Sequence, residues 1–230
     1  KNKSLSPEQT FSDSLKFTRY NHNRRYASMT EADLKNVSYD RILQMAKERF
    51  EDASNFTFIF CGNFEEDSIR PLIEQYIASL PAKGKKETFC DVTTMPKGEL
   101  INHFTRKMET PKAMAYVLWH TEDAPYSLDN IVKADATGQI LDMIFLKKIR
   151  EEASAAYSAG GYGFVQHVGS TTVITLYGGC PMKPEKSDLA LSILRNEIKN
   201  LANNTDPSML QKVKEFMLKK ADEEAKNNSH

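Results

Sequence analysis

ILDMIFLKKIREEASAAY, residues 140–157, decides how the rest of the chain is read. Ile140, Leu141, Ile144, Phe145, Lys148 and Ile149 recur at three- and four-residue spacing, the period that keeps side chains on one face of a helix. That face is predicted to be buried, which leaves Arg150 emerging at the C-terminal end of an element anchored in the core. The following AAYSAGGYGF, residues 155–164, mixes small and aromatic side chains like a strand with close backbone neighbours. Tyr157 is predicted to ride on the opening of that strand. Arg150 and Tyr157 are therefore candidates to aim at one point, where a guanidinium and a phenol would bind or polarise a carbonyl oxygen, as acyl-transfer chemistry requires. Other roles stay open for both. An arginine after a buried helix often caps its carbonyls or pairs with a neighbouring acid, here Glu151 or Glu152, and a tyrosine opening a strand often belongs to the core.

Outward from this stretch the pattern alternates between helices and strand pairs. The helix is predicted over 125–152, with Gly138 either kinking it or allowing close packing. Upstream, 100–108 and 113–120 read as two strands joined at Glu109-Thr110-Pro111. Downstream, 156–166 and 170–180 read as a second hairpin around His167–Gly169. Two helices follow. One spans 187–201, with Ala190, Leu194, Ile198 and Leu201 on one face; the other spans 206–227, capped by Asp206 with Pro207 at its first position.

Nearer the start, SLSP at 4–7 reads as the beginning of a helix. Thr30 with Asp33 forms a capping pattern, and Ser38 opens a helix whose face is Ile42, Leu43, Ala46 and Phe50. FTFIFC, residues 56–61, is apolar on both alternations, as expected of a central strand. After Gly62–Asn63, a helix is predicted with Ser68 as its cap, Pro71 in its first turn, and Ile69, Leu72, Ile73, Tyr76, Ile77 and Leu80 on one face. This order points to an α+β fold, a mostly antiparallel sheet with helices packed on one face, rather than a doubly wound parallel sheet.

Composition narrows the chemistry. The 230 residues are 40% hydrophobic, enough for a proper core, and 31 basic side chains balance 31 acidic ones. No basic block interleaved with aromatics points to nucleic acid, and no run approaches the twenty or so apolar residues of a transmembrane segment. Cys61, Cys90 and Cys180 are too few for a disulfide framework; two buried thiols ending strands and one in a loop are expected. His22, His103, His120, His167 and His230 include no pair at one-turn helical spacing, so no self-contained metal site is expected. Gly160–Gly161–Tyr162–Gly163 lies in a strand pattern without the downstream helix of a phosphate loop, and no Gly-x-Ser-x-Gly elbow occurs.

FTFIFCGNFEEDSIRPLIEQYIASLP, with YDRILQMAKERFEDASN before it, resembles the second-half domain of the pitrilysin (insulysin-like) family of zinc metallopeptidases. IREEASAAYS is similar to that family's Arg-Glu-Glu…Tyr-Ser segment, with Arg150 and Tyr157 at the matching separation. The likeness extends over about residues 38–221. It implies repeated α+β units forming two halves of a clamshell. In the first unit two histidines and a distal glutamate hold zinc, and the glutamate of an inverted His-x-x-Glu-His motif serves as base. Those residues are missing here, so the resemblance implies a zinc-free unit that itself binds no metal, its zinc lying in the parent's catalytic domain. Arg150 and Tyr157 would be its substrate-binding residues, reaching across the chamber to the peptide or the tetrahedral intermediate. The family often has glycines before the tyrosine where this chain has Ser154, Ala155 and Ala156. The implied organisation is the tail of a preceding unit with its connecting segment at 1–37, and an inactive peptidase-like domain at 38–230 that stops short of the family's further helices. The implied partners are a peptide and the zinc-bearing N-terminal half of the parent. A structural or assembly subunit of the same fold, or a module that adds a peptide to a sheet edge, are the alternative roles. Compartment is left open, bacterial relatives being often exported to the envelope.

Overall fold

The computed structural model describes residues 6–84, 86–204 and 206–226. The predicted helix start at residues 4 and 5, the predicted helix end at residue 227 and the terminal histidine lie outside them. The chain divides into two compact units, Lys1–Ala27 with Val92–His230, and Ser28–Asp91.

The larger unit begins with α1 (Pro7–Arg19), whose Ser6 side chain accepts the Gln9 N–H and whose first position holds Pro7. Proline fits there because that N–H has no helical partner.

The smaller unit contains α2 (Glu31–Lys35), closed by the predicted Thr30–Asp33 capping box, α3 (Tyr39–Phe50), capped by Ser38, and α4 (Glu66–Tyr76). Two expectations fail here. α4 starts at Glu66 rather than after Ser68, because Glu66 and Asp67 favour the positive end of the helix dipole, and Pro71 consequently lies inside it. Residues 56–61 form no strand among the described residues, and Ile59 is 83% exposed. Alternating apolar residues mark a segment suited to a sheet, whereas a strand exists only through bonds to a neighbour.

The rest of the larger unit is an α+β sandwich. Its strands are β1 (Ala113–Thr121), β2 (Gly160–Val168) and β3 (Thr171–Met182), antiparallel in the order β1-β3-β2. Gly169, at φ 62°, supplies the left-handed residue of the tight β2–β3 turn. The predicted strand at 100–108 forms no ladder among the described residues, and Ile101 is exposed, for the same reason as 56–61. The helices are α5 (Leu128–Phe145), capped by Ser127, α6 (Ser187–Asn203) and α7 (Pro207–Glu224), capped by Asp206.

α5 lies directly on β2. Gly138 does not kink it; a Cβ there would collide with the backbone of Tyr162 and Gly163, and one on Gly161 would come 2.6 Å from the Asp142 nitrogen. The absent side chains let helix and strand backbones touch. Leu141, Phe145 and Ile149 then fill the core with Cys180 and Met182 of β3 and Ala190, Leu194 and Ile198 of α6, and Ala115, Val117 and Trp119 of β1 pack against them. The opposite face of the sheet carries Tyr116, Tyr162, Phe164 and Tyr177. Tyr162 stacks on Tyr177 at 4.9 Å, and α1 brings Phe11 to 5.5 Å from Tyr116 and the Arg19 guanidinium to 5.2 Å from Phe164.

Candidate functional site

At Leu146 the α-helix of α5 widens into a π-helical segment that runs to Glu152 and closes with the Ala153 N–H donating to the Lys148 carbonyl at 3.0 Å. Such widened turns re-aim the side chains they carry and recur at functional sites. Ile149 stays fully buried, so the segment is anchored while Arg150, next in sequence, faces outward. The chain then reverses through Ser154, which adopts φ 48°. The Ala155 N–H returns to the Ile149 carbonyl at 2.9 Å, and the Ala155 carbonyl accepts the Lys183 N–H at 3.0 Å. Lys186 donates to the Ala153 carbonyl at 2.6 Å.

Ala155 and Ala156 are thereby pinned into the core, and Tyr157 is thrown out to 87% exposure. This corrects the prediction that Tyr157 opens a strand. β2 begins only at Gly160, because the alanines are consumed in plugging the core between α5 and the end of β3. The left-handed position is occupied by Ser154, one of the residues at which the chain departs from the glycine-bearing pattern of the family it resembles.

Arg150 and Tyr157 meet nevertheless. The guanidinium carbon lies 5.6 Å from the centre of the Tyr157 ring, within cation–π range. Of the two neighbouring acids, Glu152 faces Lys147 at 3.9 Å, and one turn away Lys148 reaches Glu197 at 2.8 Å. Among the described residues Arg150 has no ion pair, so its donors face solvent from a fixed mount beside an exposed phenol. The arrangement offers hydrogen-bond donors to a carbonyl or carboxylate arriving from outside.

Sequence reasoning missed Asp142, whose carboxylate accepts the Gly161 N–H at 3.2 Å where β2 starts. The cysteines also depart from expectation. Cys180 is buried in β3, and burial pushes its thiol up to about 11, while Cys61 and Cys90 are exposed. No three His, Cys, Asp or Glu side chains cluster as metal ligands among the described residues. The described residues therefore offer no ligand set that fits zinc. No helix of the described residues is long and apolar enough to cross a membrane.

The sequence profile described as the peptidase M16 inactive domain matches residues 36–217. The chain belongs to this metallopeptidase family. As an M16 inactive domain it represents the non-catalytic type of unit, in agreement with the α+β architecture. It is similar in structure to a mutant of the ferredoxin protease FusC in complex with Arabidopsis ferredoxin, with a TM-score of 0.74 and 16% identity, covering 99% of this chain and 24% of that one. It is also similar to the periplasmic protease PqqL from Escherichia coli, with a TM-score of 0.73 and 21% identity, covering 95% of this chain and 24% of that one. The M16 chain thus spans about a quarter of the length of each, and at these identities the likeness shows the fold. No curated protein sequence matches it.

Proposed function

We propose that this M16 inactive domain is the zinc-free, substrate-contacting unit of a larger zinc metallopeptidase of the pitrilysin type, with Arg150 and Tyr157 holding the peptide. The observation that carries the reading is the guanidinium held 5.6 Å from an exposed phenol, with no competing carboxylate on it among the described residues. Two similar structures of several times this length are both named as proteases, which supports a proteolytic parent. In this reading residues 1–37 are the tail of a preceding unit and its connection, and 38–230 the inactive domain.

The zinc of the parent's catalytic unit would supply the hydrolytic chemistry when bound. This chain's part is to bind and orient. Arg150 donates to a substrate carbonyl oxygen, and the Tyr157 hydroxyl donates to the same oxygen as negative charge builds on it. Losing one such donor costs about 2.7–4 kcal/mol of transition-state stabilisation in comparable oxyanion sites. Turnover of the complete enzyme carrying Arg150→Ala tests this, with zinc content measured alongside. A fall in turnover with zinc retained is expected, and unchanged turnover removes Arg150 from the mechanism. The chain by itself is expected neither to retain zinc nor to cleave peptides; peptidase activity abolished by a chelator would contradict that.

A further inference from the structure

Arg19, Gln166 and Thr175 meet around Phe164 on the face of the sheet that α1 covers. The β2–β3 register places Phe164 opposite Thr175 and Gln166 opposite Val173. Cross-strand partners and next-but-one residues share a face, so Phe164, Gln166, Val173, Thr175 and Tyr177 all lie on the α1 side. Arg19 ends α1, its guanidinium carbon 5.2 Å from the centre of the Phe164 ring and 5.4 Å from that of Tyr20. Val173 is fully buried among Met95, Val168 and Tyr20, which makes the surroundings apolar.

Three side chains here carry polar atoms withdrawn from solvent. Arg19 Nε and Nη2, Gln166 Nε2 and Thr175 Oγ1 are buried and have no hydrogen-bond partner among the described residues. Thr175 is 0% exposed. Buried polar atoms are nearly always paired, and a charged one most of all. The aromatic rings favour the positive charge through their π faces, but they offer the guanidinium N–H groups no lone pair.

The donor set selects the ligand. A guanidinium and an amide nitrogen only donate, and a hydroxyl can do so, which calls for an acceptor with negative charge. Nε and Nη2 are adjacent nitrogens whose two N–H bonds run parallel, the fork that receives both oxygens of a carboxylate. A chloride ion meets such a fork with a single atom. Because all four donor atoms are shut off from solvent, the ligand must be enclosed, which favours a free anion the size of formate or acetate over a carboxylate borne on a chain. α1 contains no buried residue of its own, so it is the element able to shift and admit the ligand.

We infer that Arg19, Gln166 and Thr175 form an enclosed site for a small free monocarboxylate. Arg19 grips both oxygens, Gln166 and Thr175 donate to them from β2 and β3, and the bound anion ties α1 to the sheet. The inference is independent of the role of Arg150 and Tyr157.

The experiment is the melting temperature of the chain in sodium formate, acetate, pivalate and chloride at one pH and one ionic strength. Once the site is filled, each tenfold rise in formate or acetate should raise Tm by roughly 3–6 °C, with no such rise for chloride or the bulkier pivalate. Arg19→Lys keeps the charge and loses the fork, so it should abolish the rise. Thr175→Val, of nearly equal volume, should diminish the rise, and in chloride it should melt no lower than the parent chain because an unpaired buried hydroxyl is removed. Carbon-13 formate NMR reports binding directly: the parent chain should broaden the formate line, and excess acetate, but not pivalate, should sharpen it again. Equal melting in formate and chloride, displacement of formate by pivalate, or a folded Arg19→Lys or Thr175→Val chain that keeps the full formate effect overturns the inference.

Discussion

Gly138 of α5 rests against Gly163 of β2 so closely that a methyl group on Gly138 would overlap the Gly163 nitrogen. Helix propensity favours alanine over glycine by about 1 kcal/mol. The contact acts against it, because the obstructing atoms are strand backbone that cannot rotate away. Overpacking of this kind costs about 1–3 kcal/mol or more, so Gly138→Ala should lower the urea midpoint of unfolding. Gly62→Ala, whose added methyl would meet only Phe64 at 3.6 Å, should stay within about 0.5 kcal/mol. A raised midpoint for Gly138→Ala would show that α5 does not sit on β2.

Ser154 tests the turn that ejects Tyr157. Its φ of 48° costs a residue with a Cβ about 1–2 kcal/mol, and glycine avoids that penalty at the expense of greater freedom in the unfolded chain. Ser154→Gly should therefore stabilise by about 0.5–1 kcal/mol, and Ser154→Val, β-branched in a left-handed position, should destabilise by more. Thermal unfolding of the two variants reads the sign directly. Equal melting temperatures would mean that the chain reverses elsewhere.

The elements legible in the sequence are those whose physics is local. α5 announced itself through its period, and Thr30, Ser38, Asp206 and Pro207 marked helix starts because capping depends on side chains within one turn. The segments at 56–61 and 100–108 misled because a strand is defined by a neighbour that its own residues do not specify. Of the site, the approach of Arg150 to Tyr157 was legible from their spacing and from the family likeness. The route between them was not, since it depends on a π-helical turn, on Ser154 and on Lys183 meeting Ala155 from a distant part of the chain. Asp142 escaped notice because it serves a backbone amide nineteen positions away.

Cys180 carries a pH dependence with a definite sign. Burial raises its thiol to about 11, above the value near 9 of an exposed cysteine. Between these values the unfolded chain loses the proton while the folded chain retains it, so the unfolded state binds fewer protons and stability falls as pH rises. The contribution is fully present below pH 9, declines through about pH 9 to 11, and levels off above. Unfolding titrations across this window should show the decline in the parent chain and a shallower one in Cys180→Ala. Under native conditions a thiol reagent should modify Cys61 and Cys90 promptly and Cys180 only on unfolding. A native Cys180 as reactive as the other two would contradict its burial.

The Tyr157 ring and hydroxyl have separable duties, and the complete enzyme distinguishes them. The ring is what lies against the Arg150 guanidinium, so Tyr157→Phe keeps the cation–π contact and removes only the hydrogen-bond donor. If the hydroxyl acts on the developing oxyanion, Tyr157→Phe lowers kcat by about 10²–10³ with KM little changed, the pattern of an interaction made only in the transition state. If the ring serves solely to seat Arg150, Tyr157→Phe is silent and Tyr157→Leu lowers activity toward the level of Arg150→Ala. Stability is not a confounder, because Tyr157 is 87% exposed and contributes little to the core. Combining Arg150→Ala with Tyr157→Phe closes a double-mutant cycle. Two groups on one oxygen should lose less together than the sum of their separate losses, and strict additivity would place them on different parts of the substrate.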